Sequence, residues 1–226
     1  MDSVFVILQR FLPEFLKGTA VTLELTAVGI LLGFALGLVL ALMRAYGPKW
    51  LRLIAIGFIE LFRGTPLLVQ LFLIYYGLPS MGVTLSQSVS AYLALGLNSA
   101  AYQAEYLRGA IQSIGESQMT AGRAIGLSRW QTIRFIIMPQ ALRLVIPAWS
   151  NEPISLLKTS AVVFLIAVQD LMARGKRAAS ITYNPIGSYL AIAVIYLVMV
   201  FAMSALLKWL ERKTKIPGFE METEKA

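Results

Sequence analysis

The sequence predicts an all-α integral membrane protein with five transmembrane helices. Hydrophobic residues make up 58% of the chain and charged residues only 14%. The apolar runs reach the ~20 residues that a helix needs to cross a bilayer core of ~30 Å. Nothing in the sequence alternates between apolar and polar residues as a membrane barrel does, so a helical bundle is expected.

Five apolar segments are the candidate spans, and together they form one transmembrane domain over residues 1–226. They comprise residues 19–43, 51–78, 89–107, 144–168 and 186–210. The residues before the first span lack the pattern of a cleavable signal peptide. They predict a short amphipathic helix that Pro13 limits. This helix either lies on the membrane surface or simply leads into the first span.

The distribution of Lys and Arg predicts the orientation. The first loop, the central loop with its flanks and the C-terminal tail carry three, five and five of these residues, and the opposite side carries five. Because cytoplasmic loops are enriched in Lys and Arg, the N-terminus is expected outside and the C-terminus in the cytoplasm. Three outer basic residues at 174–177 run against this rule. Either Asp170 offsets them or they serve a partner on the outer face.

The absence of Cys and His excludes much enzyme chemistry. The chain has no thiolate nucleophile, and it lacks the commonest metal ligand and the commonest general base. We therefore expect no catalytic residue and no metal site. The enzymatic alternative is a membrane-embedded hydrolase with a dyad of Ser155 and Lys158. Topology explains the net charge of +8, so no nucleic-acid partner is expected.

Polar residues inside the predicted spans indicate a polar pathway, because they are costly in lipid and usually face a bundle interior or a watery cavity. Asn98, Tyr102 and Glu105 follow i, i+4, i+7 and share one helix face. Around Pro153, the fourth span carries a carboxylate, an amide, an amine and hydroxyls. These belong to Asn151, Glu152, Lys158, Thr159 and Ser160. They can form a pocket at a proline kink or hydrogen-bond between helices.

These two interpretations divide the polar residues. A ligand role is favoured for Glu152, since an unpaired buried carboxylate is otherwise hard to explain. Hydrogen bonding between helices is favoured for Thr159 and Ser160, and both roles stay open for Asn98 and Tyr102. In the second span, Gly64 and Pro66 predict a helix break of the kind that lines cavities. Just before it, Glu60 and Arg63 are expected to pair with each other rather than to contact a substrate.

The central loop, about residues 114–143, carries its own structural signals. A helix-forming stretch ends at Gly126, a typical residue just beyond a helix C-terminus. Ser128 and Gln131 then form a capping box for a second helix, which stops or kinks at Pro139. Two short helices around a glycine turn predict a compact knob. It either packs along the bilayer or docks onto another protein.

The loop resembles the EAA loop of binding-protein-dependent ABC importer permeases. Thr120, Ala121 and Gly122 stand at the EAA position, followed by Gly126 and Pro139. Thr120 replaces the usual acid of that motif, and Gly122 replaces its second Ala. Four longer stretches resemble the polar amino-acid subfamily of these permeases, in the same order. They are residues 18–44, 62–79 (FRGTPLLVQLFLIYYGLP), 126–143 (GLSRWQTIRFIIMPQALR) and 151–163 (NEPISLLKTSAVV).

The resemblance implies a type I ABC importer permease in a bacterial inner membrane, working by alternating access. Its implied partners are cytosolic ABC ATPase subunits, a second permease copy or paralogue, an external substrate-binding protein and membrane lipid. The residues implied to couple to the ATPase are Thr120, Ala121, Gly122, Arg123, Ala124, Gly126, Leu127 and Ser128. Because the chain has no GxxxxGK[ST] loop, ATP and Mg²⁺ are expected on the ATPase and no cofactor on this chain.

The resemblance also implies an amino-acid substrate. Its candidate binding residues are Glu152, Asn98, Tyr102, Glu105, Asn151, Thr159 and Ser160. A basic amino acid (arginine, lysine or histidine) is favoured, because Glu152 would then meet a second positive charge. Glutamine, glutamate or another polar solute is an alternative. A passive channel or facilitator is a further alternative, and it would need no docking knob.

Overall fold

The computed structural model describes residues 4–214, and these residues form helices without any strand. The α-helices are α1 Val4–Tyr46, α2 Lys49–Gly64, α3 Leu67–Phe72, α4 Gln87–Ser113, α5 Gly115–Ala124, α6 Arg129–Thr132, α7 Met138–Leu144, α8 Ile146–Trp149, α9 Asn151–Thr159, α10 Leu171–Thr182 and α11 Pro185–Thr214. Leu73–Gly77 and Ile133–Ile137 are π-helical, while Leu78–Met81 and Ser160–Ile166 are 3-10 helices. The all-α prediction is confirmed. Lys215 and Lys225, which entered the charge count, lie outside the described residues.

The first helix continues through its proline. α1 is a single helix of 43 residues with Pro13 inside it, so the prediction that Pro13 limits an N-terminal helix is wrong. Ile7 and Phe15, on either side of Pro13, are fully buried in a cluster with Leu171 of α10 and Ala191 of α11. This packing offsets the ~3 kcal/mol cost of a proline in a helix interior. The N-terminal segment is therefore the packed beginning of the first long helix.

Helices α1 and α4 form the centre of the molecule, and glycines allow their close contact. A Cβ added at Gly33 would lie 2.6 Å from Nε2 of Gln103, and one at Gly37 would lie 3.0 Å from the carbonyl oxygen of Ala100. Small residues let membrane helices approach each other closely. α4 is consequently covered by protein, and its fully buried residues include Ser99 and Gln103.

Among residues 4–214, α1 and α11 are each long and apolar enough to cross a membrane alone. Two further candidates are bent pairs: α2 with Leu67–Met81, at 105°, and Ile146–Ile166 with α10, at 56°. α4 is less apolar, but its 27 residues extend about 40 Å. Each predicted span overlaps one of these elements, although the fourth, residues 144–168, ends before α10, and the second and fourth are not straight helices. The number of five spans stays a prediction. Their limits in the bilayer stay predictions.

Backbone chemistry explains both bends. Thr65 is extended before Pro66, which ends α2 and turns the chain into α3. Farther along, Pro147 and Pro153 remove backbone donors and divide the predicted fourth span into short helices. That span then ends in a 3-10 helix closed by Ala167 in the left-handed region, at φ 64°.

The outer basic cluster lies on a helix. Asp170 begins α10, because its side chain accepts a hydrogen bond from the backbone N–H of Ala173 at 2.9 Å. Arg174 forms an ion pair with Glu14 of α1. Arg174 is thus offset by Glu14, a residue that the sequence analysis did not consider, while Asp170 serves as a helix cap.

The central loop folds as the local signals predicted. Gly126 adopts φ 87° after α5, and the capping box is present, with Ser128 N–H to Gln131 Oε1 at 2.8 Å and Gln131 N–H to Ser128 Oγ at 3.2 Å. The second helix of the loop does not stop at Pro139. It continues through a π-helical turn into α7, where Pro139 lies in the first turn and its missing N–H is tolerated.

Packing of this loop leaves one side of it exposed. Ile133 and Ile137 are buried in one apolar cluster with Leu107 of α4, and this cluster anchors the loop to the end of that helix. The apolar side chains of Ile125 and Trp130 are 75% and 61% exposed. Exposed apolar groups on an anchored knob are typical of an interaction surface.

Candidate functional site

A polar cavity lies where the break between α2 and α3 faces α4 and α9. Its volume is about 620 Å³. It is lined by Arg63, Gly64, Thr65, Pro66, Leu67, Asn98, Tyr102, Tyr106, Asn151, Glu152, Ser155, Leu156 and Thr159. We call it the central cavity. It combines the broken second span with polar residues of the third and fourth spans.

The side chains of Gln70 and Asn98 hold the helix break in shape. Gln70 Nε2 donates to the carbonyl oxygens of Phe62 and Thr65 at 2.8 and 3.0 Å and to Thr65 Oγ1 at 2.9 Å. Asn98 Nδ2 donates to Phe62 O at 3.2 Å and to Gln70 Oε1 at 3.0 Å. Neighbouring side chains must satisfy freed backbone groups at membrane depth. Asn98 therefore lines the cavity and also supports its wall.

Glu152 is the buried carboxylate of the central cavity, with only 5% of its surface exposed. Its Oε1 accepts a hydrogen bond of 2.7 Å from the hydroxyl of Ser99. Ser99 in turn accepts a hydrogen bond from Gln103 Nε2 at 2.9 Å. No ion pair reaches Glu152 from the described part of the chain. Its charge is therefore available to a ligand.

Arg63 supplies the opposite charge in the same cavity. Its guanidinium lies over the ring of Tyr102, 5.4 Å from the ring centroid. No salt bridge joins it to Glu60 within residues 4–214, so the expected pairing of these two residues is not found. An exposed guanidinium held by a cation–π contact keeps its donors free for another group.

The structure brings five of the seven predicted binding residues to the central cavity. These are Glu152, Asn98, Tyr102, Asn151 and Thr159. Glu105 lies elsewhere, because its carboxylate pairs with Arg44 of α1 and with Arg108, at 2.8 Å from Arg108 Nη2. Ser160 is fully buried and donates to the carbonyl oxygen of Leu157 at 2.8 Å. Both of these side chains are thus engaged outside the cavity.

Sequence reasoning missed four polar lining side chains as site residues, namely Arg63, Thr65, Tyr106 and Ser155. Arg63 was assigned to an ion pair, while the other three were not considered as binding residues. Tyr106 follows Tyr102 by four residues and continues the same helix face, which was the available signal. Ser155 has the same spacing from Asn151. The Thr159 hydroxyl donates to the Ser155 carbonyl oxygen of its own helix at 3.0 Å, so the predicted hydrogen bond from Thr159 to another helix is not found among the described residues.

Most of the predicted coupling residues are exposed on the central loop. Gly122 is the buried exception, because a Cβ there would lie 2.5 Å from Cγ2 of Thr132 in α6. Its small size therefore serves packing within the loop. Thr120, at the position of the usual acid, donates its hydroxyl to the Glu116 carbonyl oxygen of the same helix at 3.1 Å.

A helical bundle in which a broken apolar helix lines a polar cavity is the arrangement that membrane transporters commonly use. The chain belongs to the family of binding-protein-dependent transport system inner membrane components, whose model matches residues 8–216. It is therefore a permease subunit of a transporter and not itself an enzyme.

Relatives across nearly the whole chain are amino-acid permeases. The chain is 35% identical over 207 residues to the glutamine transport system permease protein GlnP of Escherichia coli (strain K12), covering 91% of this chain and 94% of the relative. It is 37% identical over 205 residues to the arginine transport system permease protein ArtQ of Bacillus subtilis (strain 168), covering 90% and 94%. The resemblance to amino-acid ABC importer permeases is confirmed.

A solved structure shares the fold. It is described as the crystal structure of an amino acid ABC transporter with histidines, and it matches with a TM-score of 0.86 and 39% identity. The match covers 94% of this chain and all of the other. The predicted type I ABC importer permease fold is confirmed.

Proposed function

We propose that this protein is the permease subunit of an ATP-driven importer, and that it moves a polar amino acid into the cell by alternating access. Its relatives are named for the transport of glutamine and arginine. The central cavity lies at helix breaks, where transporters commonly bind their substrates. Its volume of about 620 Å³ falls within the usual range for small-molecule sites.

Two opposite charges in one cavity carry this proposal. Glu152 is buried without an ion pair in the described chain, and Arg63 presents a free guanidinium. A zwitterionic amino acid has one ammonium and one carboxylate, which these residues complement. Arginine binds carboxylates with two parallel hydrogen bonds. Asn98, Tyr102 and Thr159 supply further polar atoms around the ligand.

A basic amino acid (arginine, lysine or histidine) is the favoured cargo. Glu152 then meets a second positive charge in addition to the α-ammonium, whereas Arg63 holds the α-carboxylate. Glutamine lacks the second charge and is the alternative cargo, as is another polar solute.

Energy for transport comes from cytosolic ABC ATPase subunits that bind ATP and Mg²⁺. They dock on the central loop, where Ile125 and Trp130 are exposed on an anchored knob. A second permease copy or a paralogue completes the membrane part, and an external binding protein delivers the substrate. The protein spans a bacterial inner membrane with its N-terminus outside and its C-terminus in the cytoplasm.

Uptake by a reconstituted transporter tests the substrate site. The substitution Glu152→Gln keeps the shape of the side chain and removes its charge. We expect uptake of radiolabelled arginine at low concentration to fall roughly 30-fold, as for the loss of ~2 kcal/mol from a buried charge pair. Glu60→Gln is the matched control, because Glu60 is an exposed glutamate outside the cavity lining.

Unchanged uptake in the Glu152→Gln transporter would overturn the site assignment. Uptake by the unsubstituted permease in liposomes without ATP would instead support a passive channel or facilitator.

A further inference from the structure

Four side chains form a hydrogen-bonded chain that ends at the carboxylate of Glu152. Trp149 Nε1 donates to Gln103 Oε1 at 2.7 Å, and Gln103 Nε2 donates to Ser99 Oγ at 2.9 Å. The hydroxyl of Ser99 then donates to Glu152 Oε1 at 2.7 Å. Only Glu152 belongs to the lining of the central cavity, so the other three residues act from behind it.

Chemistry fixes the direction of every bond in this chain. The indole N–H of Trp149 can only donate, so it requires the oxygen of the Gln103 amide. Gln103 Nε2 also donates to the backbone carbonyl of Ile30 at 3.1 Å, and a carbonyl can only accept. The amide is therefore in one orientation. Since Ser99 accepts from this amide, its single proton is left for Glu152.

Packing holds the middle of the chain in place. Ser99 and Gln103 are fully buried on consecutive turns of α4. Gly33 of α1 lies directly against them, and its missing side chain makes the space that they fill. The Trp149 side chain packs against the apolar cluster that includes Ile133 and Ile137 of the central loop. Side chains that are buried and fully hydrogen-bonded have few alternative rotamers.

We propose that Ser99 and Gln103 are positioning residues that hold Glu152 in the orientation that binds the ammonium group of the substrate. One oxygen of Glu152 is occupied by Ser99, while Oε2 accepts no hydrogen bond from the described residues and is left for the ligand. Preorganised ligand groups increase affinity because they are not immobilised again on binding. This inference rests on the proposed function, in which Glu152 contacts the substrate.

A double-mutant cycle tests the positioning role. Binding of radiolabelled L-arginine and L-glutamine is measured on the permease purified with its ATPase subunits, without the binding protein. Ser99→Ala removes the last hydrogen bond and is expected to raise the dissociation constant roughly tenfold. In a Glu152→Gln background the same substitution is expected to change it by less than about twofold, because the two residues act as one unit.

Two further variants separate positioning from packing. Ser90→Ala is the matched control, because Ser90 is also a fully buried serine of α4 but its hydroxyl has no hydrogen-bond partner among the described residues. It is expected to bind both amino acids like the parent protein. Trp149→Phe keeps an aromatic ring and removes the first donor, so it is expected to raise the dissociation constant a few-fold. If Ser99→Ala does not fold, Trp149→Phe still tests the hydrogen-bonded chain.

The outcomes distinguish this inference from the proposed function. If Glu152→Gln binds as tightly as the parent, or if the parent binds neither amino acid, the proposed site itself is wrong. If Glu152→Gln weakens binding but Ser99→Ala does not, the positioning role alone is wrong. It is also wrong if Ser99→Ala weakens binding equally in both backgrounds, because the effect is then independent of Glu152.

Discussion

The side-chain amides of Gln70 in α3 and Asn98 in α4 are joined by a hydrogen bond of 3.0 Å, and both amides also donate to the carbonyl oxygen of Phe62. This arrangement ties the end of α2 to two other helices at the point where its own hydrogen bonding ends. The side chains of Gln70 and Asn98 therefore stabilise the wall of the central cavity.

Gln70→Met should destabilise the protein. The substitution keeps the length of the side chain but removes the amide that donates to the Thr65 carbonyl oxygen and accepts from Asn98 Nδ2, while the Phe62 carbonyl oxygen keeps only Asn98 as a side-chain donor. A buried polar group left unsatisfied costs about 1–3 kcal/mol. We expect a lower unfolding temperature for the purified protein in detergent. Gln87→Met, an exposed glutamine at the start of α4, is the control, and equal unfolding temperatures for the two variants would contradict the prediction.

Arg63→Met should weaken binding only of ligands that carry a carboxylate. We expect the affinity for arginine to fall roughly tenfold or more, because a charged hydrogen-bonding partner is lost. Agmatine, which is arginine without its carboxyl group, should bind equally to the parent and the variant. The measurement is competition with radiolabelled arginine.

Arg143→Met is the control for the loss of one positive charge, because Arg143 is exposed on α7 and outside the cavity lining. If Arg63→Met weakens the binding of agmatine as much as that of arginine, Arg63 does not bind the carboxylate of the ligand.

Gly126→Ala should loosen the contact with the ATPase. Gly126 adopts φ 87°, a region that costs other L-residues roughly 1–2 kcal/mol. The turn that presents Ile125 would shift to relieve this strain. We expect less ATPase subunit to co-purify with the variant permease.

Gly109→Ala provides the matched control, because this glycine lies in regular α4 with open space around its Cα. If the Gly126 variant retains as much ATPase as the Gly109 variant, the docking role of the turn is not supported.

Signals within a few residues of each other predicted the fold well. The capping box of Ser128 and Gln131 and the left-handed Gly126 depend on neighbouring residues, and both were confirmed. The break at Pro66 was predicted for the same reason. Pro13 shows the limit of this reasoning, because contacts from α10 and α11 keep the helix intact there.

The candidate site could be predicted only in part. Helical spacing correctly grouped Asn98 and Tyr102 on one face, but it could not show that Glu105 turns to Arg44, a residue 61 positions away. Nor could it show that Arg63 stacks on Tyr102 instead of pairing with Glu60. Each of these outcomes depends on a partner from another helix.

By itself, the sequence determined that this chain is a helical membrane protein with a structured loop and a polar stripe, because apolar length, helix caps and prolines act locally. Tertiary structure alone decided which polar side chains meet. Ser99 and Glu152 are 53 residues apart, and Gln103 and Trp149 are 46 apart. Such pairs form only when packing around Gly33 brings helices together, since a buried hydrogen bond needs both partners within about 3 Å.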